Sequence, residues 1–176
     1  MNSKSESDSH AGSDLAPVSA TMPGSPPPML DLIELMFFAY RDFVSDADRL
    51  LESLHFGRAH HRVLHFVSRQ PGLTIAELLD ILKITKQSLN RVLKELLQEG
   101  YVEAHPGLVD RRQRQLFPTM RGKRLAAQLA DVQTRRFSRA LEGLGPKGRA
   151  QAIDFLFAMI DPAERPKVAA MMERAP

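Results

Sequence analysis

Residues 74–122 read TIAELLDILKITKQSLNRVLKELLQEGYVEAHPGLVDRRQRQLFPTMRG, and the punctuation of this stretch decides the fold. Thr74, with Glu77 three residues on and an apolar run behind it, carries the signature of a capping box, so a helix starts there. Ile75, Leu78, Leu79 and Leu82 supply its buried stripe. It must stop near Lys83, because Thr85 has the character of a second N-cap. Leu89, Val92, Leu93, Leu96 and Leu97 give the second helix an apolar face, and Gly100 stands where a helix end wants a left-handed residue. Two short helices joined by about three residues predict a helix-turn-helix.

The other face of the second helix suggests what the motif is for. Lys86, Gln87, Asn90, Arg91 and Lys94 recur at spacings of three and four, so they project together from the side the core does not use. Acidic residues are held back to Glu95 and Glu99 at the far end. The first turn offers the hydroxyls of Thr85 and Ser88 as well, at a helix N-terminus whose partial positive charge favours phosphate. Gln and Asn side chains pair bidentately with adenine and Arg with guanine, at about 1–3 kcal/mol of discrimination per good contact. Beyond Gly100, Tyr101–Ala104 reads as a strand and His105, Pro106 and Gly107 as a turn. Arg111, Arg112 and Arg114 crowd the next few residues before a second strand through Gln115, Leu116 and Phe117. A basic hairpin directly after a helix-turn-helix is a wing, and its arginines have the reach to meet phosphates or enter a narrow minor groove. Thr85, Lys86, Gln87, Ser88, Asn90, Arg91 and Lys94, with Arg111, Arg112 and Arg114, are the candidate DNA-binding residues.

Charge supports that reading. The whole chain of 176 residues carries a net charge of +3. Between Lys83 and Arg124 alone there are ten basic residues against four acidic ones, so the rest of the chain is net acidic. A solvated surface normally mixes its signs, and a local excess of this size points to a polyanion partner. The absence of cysteine excludes disulfides, thiolate metal sites and thiol redox sensing. No apolar run approaches the roughly 20 residues needed to span a bilayer, and the expectation is a cytoplasmic protein without a membrane partner.

Working outward, residues 1–28 are rich in Ser, Pro, Gly and Asp and are expected to form a disordered tail. From Met29 to about Leu54, Leu32, Ile33, Leu35, Met36, Phe37, Phe38, Tyr40, Phe43 and Val44 cover more than one face of a helix, so a second apolar surface is needed to bury them. Gly57 to Gln70 reads as a helix with Ala59, Val63, Phe66 and Val67 on its stripe. Thr119 is expected to cap a long helix to about Leu144, and a final helix over 146–161 uses Ile153, Phe155, Leu156, Met159 and Ile160. It too is apolar on too many sides for a small monomer, which makes the two terminal helices the candidate dimer interface. The expected architecture is mainly α with a small β-hairpin wing: a winged helix-turn-helix lobe over about 57–122, a connecting helix over 119–144, pairing helices over 29–54 and 146–161, and a C-terminal tail over 162–176.

This order of parts resembles the MarR family of bacterial transcriptional regulators over about residues 29–160. The sharpest match is the wing. The family pattern D-x-R, five residues, then L-T stands here as Asp110, Arg112, Pro118 and Thr119, with Gly122 at the glycine three positions later; Pro118 replaces the usual leucine. The stretch TKQSLNRVLKELLQEGYV also looks like a family recognition helix, and the chain is similar to the PetP-like branch. The resemblance implies a homodimer that inserts two recognition helices into successive major grooves of double-stranded DNA and two wings into the flanking minor grooves. It makes Arg112 the wing-tip contact and Asp110 the residue that orients it. It also implies a small aromatic or phenolic ligand between the dimer helices and the DNA-binding lobe, where Tyr40, Phe43, His60 and His61 would line a crevice.

Two rival readings have a sequence basis. An architectural DNA-binding protein without ligand response would share the lobe but needs no palindromic site. An enzyme or metalloprotein would have to rest on His60, His61 and His65, of which His61 and His65 share a face at i, i+4 spacing. No HExxH pattern, nucleophile motif, phosphate-cradling glycine loop or paired carboxylates accompany them, so no catalytic residue, metal site or cofactor is assigned.

Overall fold

The computed structural model describes residues 27–107 and 113–173. Most of the expected tail, and Asp110, Arg111 and Arg112, expected at the wing tip, lie outside the described residues. Among the described residues, seven helices and three short strands follow in the order α1 (Leu30–Glu52), α2 (Arg58–Arg69), β1 (Leu73–Thr74), α3 (Ile75–Leu82), α4 (Lys86–Gln98), β2 (Val102–Pro106), β3 (Arg114–Pro118), α5 (Met120–Glu142), α6 (Gly148–Ala158) and α7 (Arg165–Glu173). The strands form one antiparallel sheet in the order β1-β3-β2. Val102 faces Pro118 and Pro106 faces Arg114 across the hairpin, and Leu73 faces Leu116 on the other side of β3.

The helix boundaries follow from their caps. Thr74 accepts from the Glu77 N–H while the Glu77 carboxylate accepts from the Thr74 N–H at 2.8 Å, a closed capping box. Thr85 accepts from the Ser88 N–H at 3.2 Å and Thr119 from the Gly122 N–H at 3.1 Å, which start α4 and α5. Gly100, at φ +68°, ends α4 in the left-handed conformation its position requires. Lys83 adopts φ +50° in the turn between α3 and α4, a conformation that costs an L-residue with a Cβ about 1–2 kcal/mol. Arg62 of α2 steadies that turn by donating to the Leu82 carbonyl at 3.0 Å.

A single core joins these parts. Ala47 and Leu51 from α1, Val63, Leu64 and Val67 from α2, Leu78 from α3, Leu89 and Leu96 from α4, Leu116 from β3 and Leu129 from α5 are all at most 1% exposed. Only the second half of α1 reaches this core. Its first half leaves Leu35, Phe37, Phe38 and Tyr40 more than half exposed, and α6 buries no residue except Gly148.

Two features depart from expectation. Strand β1 turns the hairpin into a three-stranded sheet; two residues are too few to show an alternating pattern, and Gly72 joins it to β3 through its N–H to the Leu116 carbonyl at 2.8 Å. The C-terminal tail expected over 162–176 instead contains α7, which docks against α3 and the end of α2 through polar contacts that carry no periodic apolar signal. Among the described residues, no helix is long and apolar enough to cross a membrane.

Candidate nucleic-acid interface

Helix α4 is split lengthwise. Leu89, Val92, Leu93 and Leu96 are buried, and Thr85, Lys86, Gln87, Ser88, Asn90, Arg91 and Lys94 are all exposed. Thr85 and Ser88 also share a hydroxyl–hydroxyl hydrogen bond of 2.9 Å, so both serve the cap as well as the surface. Lys86, Arg91 and Lys94 make no ion pair among the described residues, leaving three cations and two carboxamides on one solvent-facing strip.

What fixes the orientation of α4 is not legible in its own pattern. Glu95 turns inward and accepts from His60 Nε2 at 2.7 Å. His60 Nδ1 accepts from the Gly57 N–H at 3.1 Å, so in the neutral ring the proton is on Nε2 and points at the carboxylate. The imidazole stacks on Phe56 at 4.5 Å, and Phe56 meets the Tyr101 ring edge-on at 5.2 Å. His60 therefore ties α2 to α4. This corrects its assignment to a ligand crevice: the His60 ring is enclosed between Phe56 and Glu95 and is not among the residues that line the crevice beside His61.

The wing is anchored at its base by residues that the charge count assigns wholly to the surface. Arg121 donates to the Glu99 carbonyl at 2.6 Å and lies 4.2 Å over the Tyr101 ring. Arg114 donates to the Ala104 carbonyl at 3.0 Å across the hairpin while remaining exposed. The Thr119 hydroxyl donates to the Gly100 carbonyl at 2.7 Å. Gly122 is buried so closely against Tyr101 that a Cβ would lie 2.0 Å from the Tyr101 carbonyl oxygen. The β2–β3 hairpin is thus clamped to the end of α4 and the start of α5, and Gly107 closes its outer end through its N–H to the Gln113 carbonyl at 2.7 Å.

A concavity lies between α1, α2 and α5, with a volume of about 510 Å³. Tyr40, Phe43 and His61 line it together with Arg58, Arg62, His65 and Phe66. Burial lowers the pKa of both His61 and His65, helped by His65 beside His61 and by Arg69 beside His65 and opposed at His61 by Asp48, so the site favours the neutral form of both rings. The two rings meet edge-on with centroids 6.5 Å apart. Among the described residues, no group of three or more His, Cys, Asp or Glu side chains is placed to hold a metal ion.

A capped helix-turn-helix, a polar strip on its second helix and a β-hairpin clamped behind it define a winged-helix protein of the nucleic-acid-binding class. The MarR family model matches residues 56–113. The HTH-type transcriptional regulator PetP of Rhodobacter capsulatus is 47% identical over 133 residues, covering 76% of this chain and 80% of the relative. The chain belongs to the MarR family of winged helix-turn-helix transcriptional regulators. A crystal structure of MarR superposes with a TM-score of 0.62 at 21% identity, over 86% of this chain and 99% of that one. Streptococcus pneumoniae FabT, solved in complex with DNA, superposes with a TM-score of 0.66 at 15% identity, over 75% of this chain and 94% of that one. These likenesses confirm the fold expected from residues 74–122. The family and its relatives are regulators rather than enzymes.

Proposed function

We propose that the chain is a sequence-specific regulator that binds double-stranded DNA as a homodimer on a palindromic operator, with α4 in the major groove and the β2–β3 wing over the flanking minor groove. The observation that carries this reading is the lengthwise division of α4, whose Gln87, Asn90 and Arg91 face solvent beside Lys86 and Lys94 while the same helix is locked from behind by the core and by His60. The complex of FabT with DNA supports the choice of partner. The homodimer is supported by the exposed apolar faces of α1 and α6, where Phe37 is 69% and Phe155 52% exposed; surface of that kind normally marks an interface. Light scattering is expected to give twice the 19.7 kDa chain mass, and a single-chain mass would sink the dimer.

A two-fold dimer requires half-sites with centres about one helical turn, roughly 10 bp, apart. Asp110 and Arg112 of the wing are proposed to meet the backbone, Asp110 by orienting Arg112, with Arg111 and Arg114 beside them. Replacing Arg112 with alanine should weaken binding to all sequences alike and flatten the dependence of affinity on salt by about 0.9 log-log units for each phosphate no longer neutralised. An unchanged salt slope would remove Arg112 from the interface. The crevice of Tyr40, Phe43 and His61 is proposed to take a small aromatic or phenolic ligand, its apolar walls stacking the ring and Arg58 and Arg62 facing an acidic group.

A further inference from the structure

The C-terminal helix α7 turns back from α6 onto the helix-turn-helix lobe. Its join to α6 is held by side chains: the Asp161 carboxylate accepts from the Ala163 N–H at 2.9 Å, and Arg165 donates to the Ile160 and Ala158 carbonyls at the end of α6, at 3.0 and 2.6 Å. On its other side, Glu164 pairs with Lys83 in the turn between α3 and α4 at 3.1 Å, and Lys167 pairs with Asp80 of α3. The Gln70 amide at the end of α2 donates to the Met171 carbonyl at 3.2 Å. Ala170 and Met171 lie across from Leu73 and Ile81, with a gap of about 220 Å³ between them. Asp80 sits between Lys167 and Lys83, whose hydrogen bonds hold its carboxyl down at about 2, so it is ionised throughout the physiological range.

We propose that α7 is a latch that couples the apolar helix α6 to the turn of the helix-turn-helix and so sets the orientation in which α4 is presented to DNA. At nine residues it is shorter than the roughly 12–15 that an isolated helix needs to be even marginally stable in water. Docking and helix formation are therefore one event, which gives the element two discrete states. The turn it grips is the place where a small shift matters most: Lys83 is left-handed there, Arg62 braces the opposite side through Leu82, and α4 begins three residues later. A displacement of α6 reaches this turn through Arg165 and Glu164 without passing through the core.

The latch rests on the DNA-binding reading, and its test separates the two. Full-length Lys167→Gln, Glu164→Gln and Lys167→Arg chains are compared with the parent by backbone amide exchange over 165–173 and by affinity for an operator duplex selected with the parent. Lys167→Gln and Glu164→Gln change the net charge in opposite directions, so a long-range charge effect would move DNA affinity in opposite directions. The latch predicts that both lose α7 protection and both bind the duplex less tightly, by about fivefold each, the upper end for one exposed ion pair, while Lys167→Arg keeps both properties. Affinity changes of opposite sign, or reduced protection with unchanged affinity, would overturn the latch. A parent chain that selects no duplex would overturn the DNA-binding reading instead, and exchange over 165–173 would still decide whether α7 docks through these pairs.

Discussion

Replacing Gly122 with alanine should lower the stability of the chain by about 3 kcal/mol, the upper part of the range for overpacking a closed site, and lower its melting temperature by about 10 °C at fixed protein concentration, given about 2–4 °C per kcal/mol for a chain of this size. The added carbon would lie 2.0 Å from the Tyr101 carbonyl oxygen and 3.0 Å from its carbonyl carbon. These are backbone atoms, so the clash cannot be relieved by a rotamer change. That oxygen also accepts from the Thr119 N–H at 3.1 Å, and the Tyr101 ring lies under Arg121 and meets Phe56 edge-on. The wing strand, the end of α4 and the start of α5 meet at this point, so the same substitution should weaken DNA binding without touching a DNA-facing residue. Differential scanning calorimetry decides the matter: an unchanged transition would mean that Gly122 does not close this junction in this way.

Asn90→Ala and Arg91→Ala should each reduce affinity for the preferred duplex by about fivefold to more than a hundredfold, corresponding to about 1–3 kcal/mol for the removal of one bidentate base pairing, while leaving thermal stability unchanged. Both side chains are exposed on α4 and neither packs into the core. Their effect should be a change of preference rather than a uniform weakening, because each removes discrimination at one base position and leaves the interactions with phosphate in place. Competition binding against duplexes altered one position at a time reads this directly. A uniform weakening across all positions would place both residues on the backbone, and unchanged affinity in both would move the reading face elsewhere.

Residues 74–122 declare the fold because helix ends are written locally. Thr74 with Glu77, Thr85 with Ser88, Thr119 with Gly122, and Gly100 each satisfy a backbone group within a few residues. The solvent strip of α4 is legible for the same reason, since a helical period links near neighbours. What escapes the sequence is set by contacts between distant residues. His60 and Glu95 are 35 residues apart, and the neighbouring His60 and His61 face different surroundings, the first Glu95 and the second the crevice. Arg121 and Arg114 count as free cations in a charge sum, yet the first is spent on the Glu99 carbonyl and the Tyr101 ring and the second reaches the Ala104 carbonyl. Strand β1 has too few residues to show a period. Helix α7 has no consistent apolar face, and its place on α3 depends on charges that only the folded chain brings together.

The most direct test of the account is a hydroxyl-radical footprint of the full-length protein on a duplex selected from a random library at moderate salt. Paired α4 helices would leave two protected patches related by a two-fold axis, with half-site centres roughly 10 bp apart, and both patches should disappear in an Asn90→Ala, Arg91→Ala double variant. Protection spread evenly along the duplex, or a single patch without two-fold symmetry, would contradict the claim that paired α4 helices read the sequence.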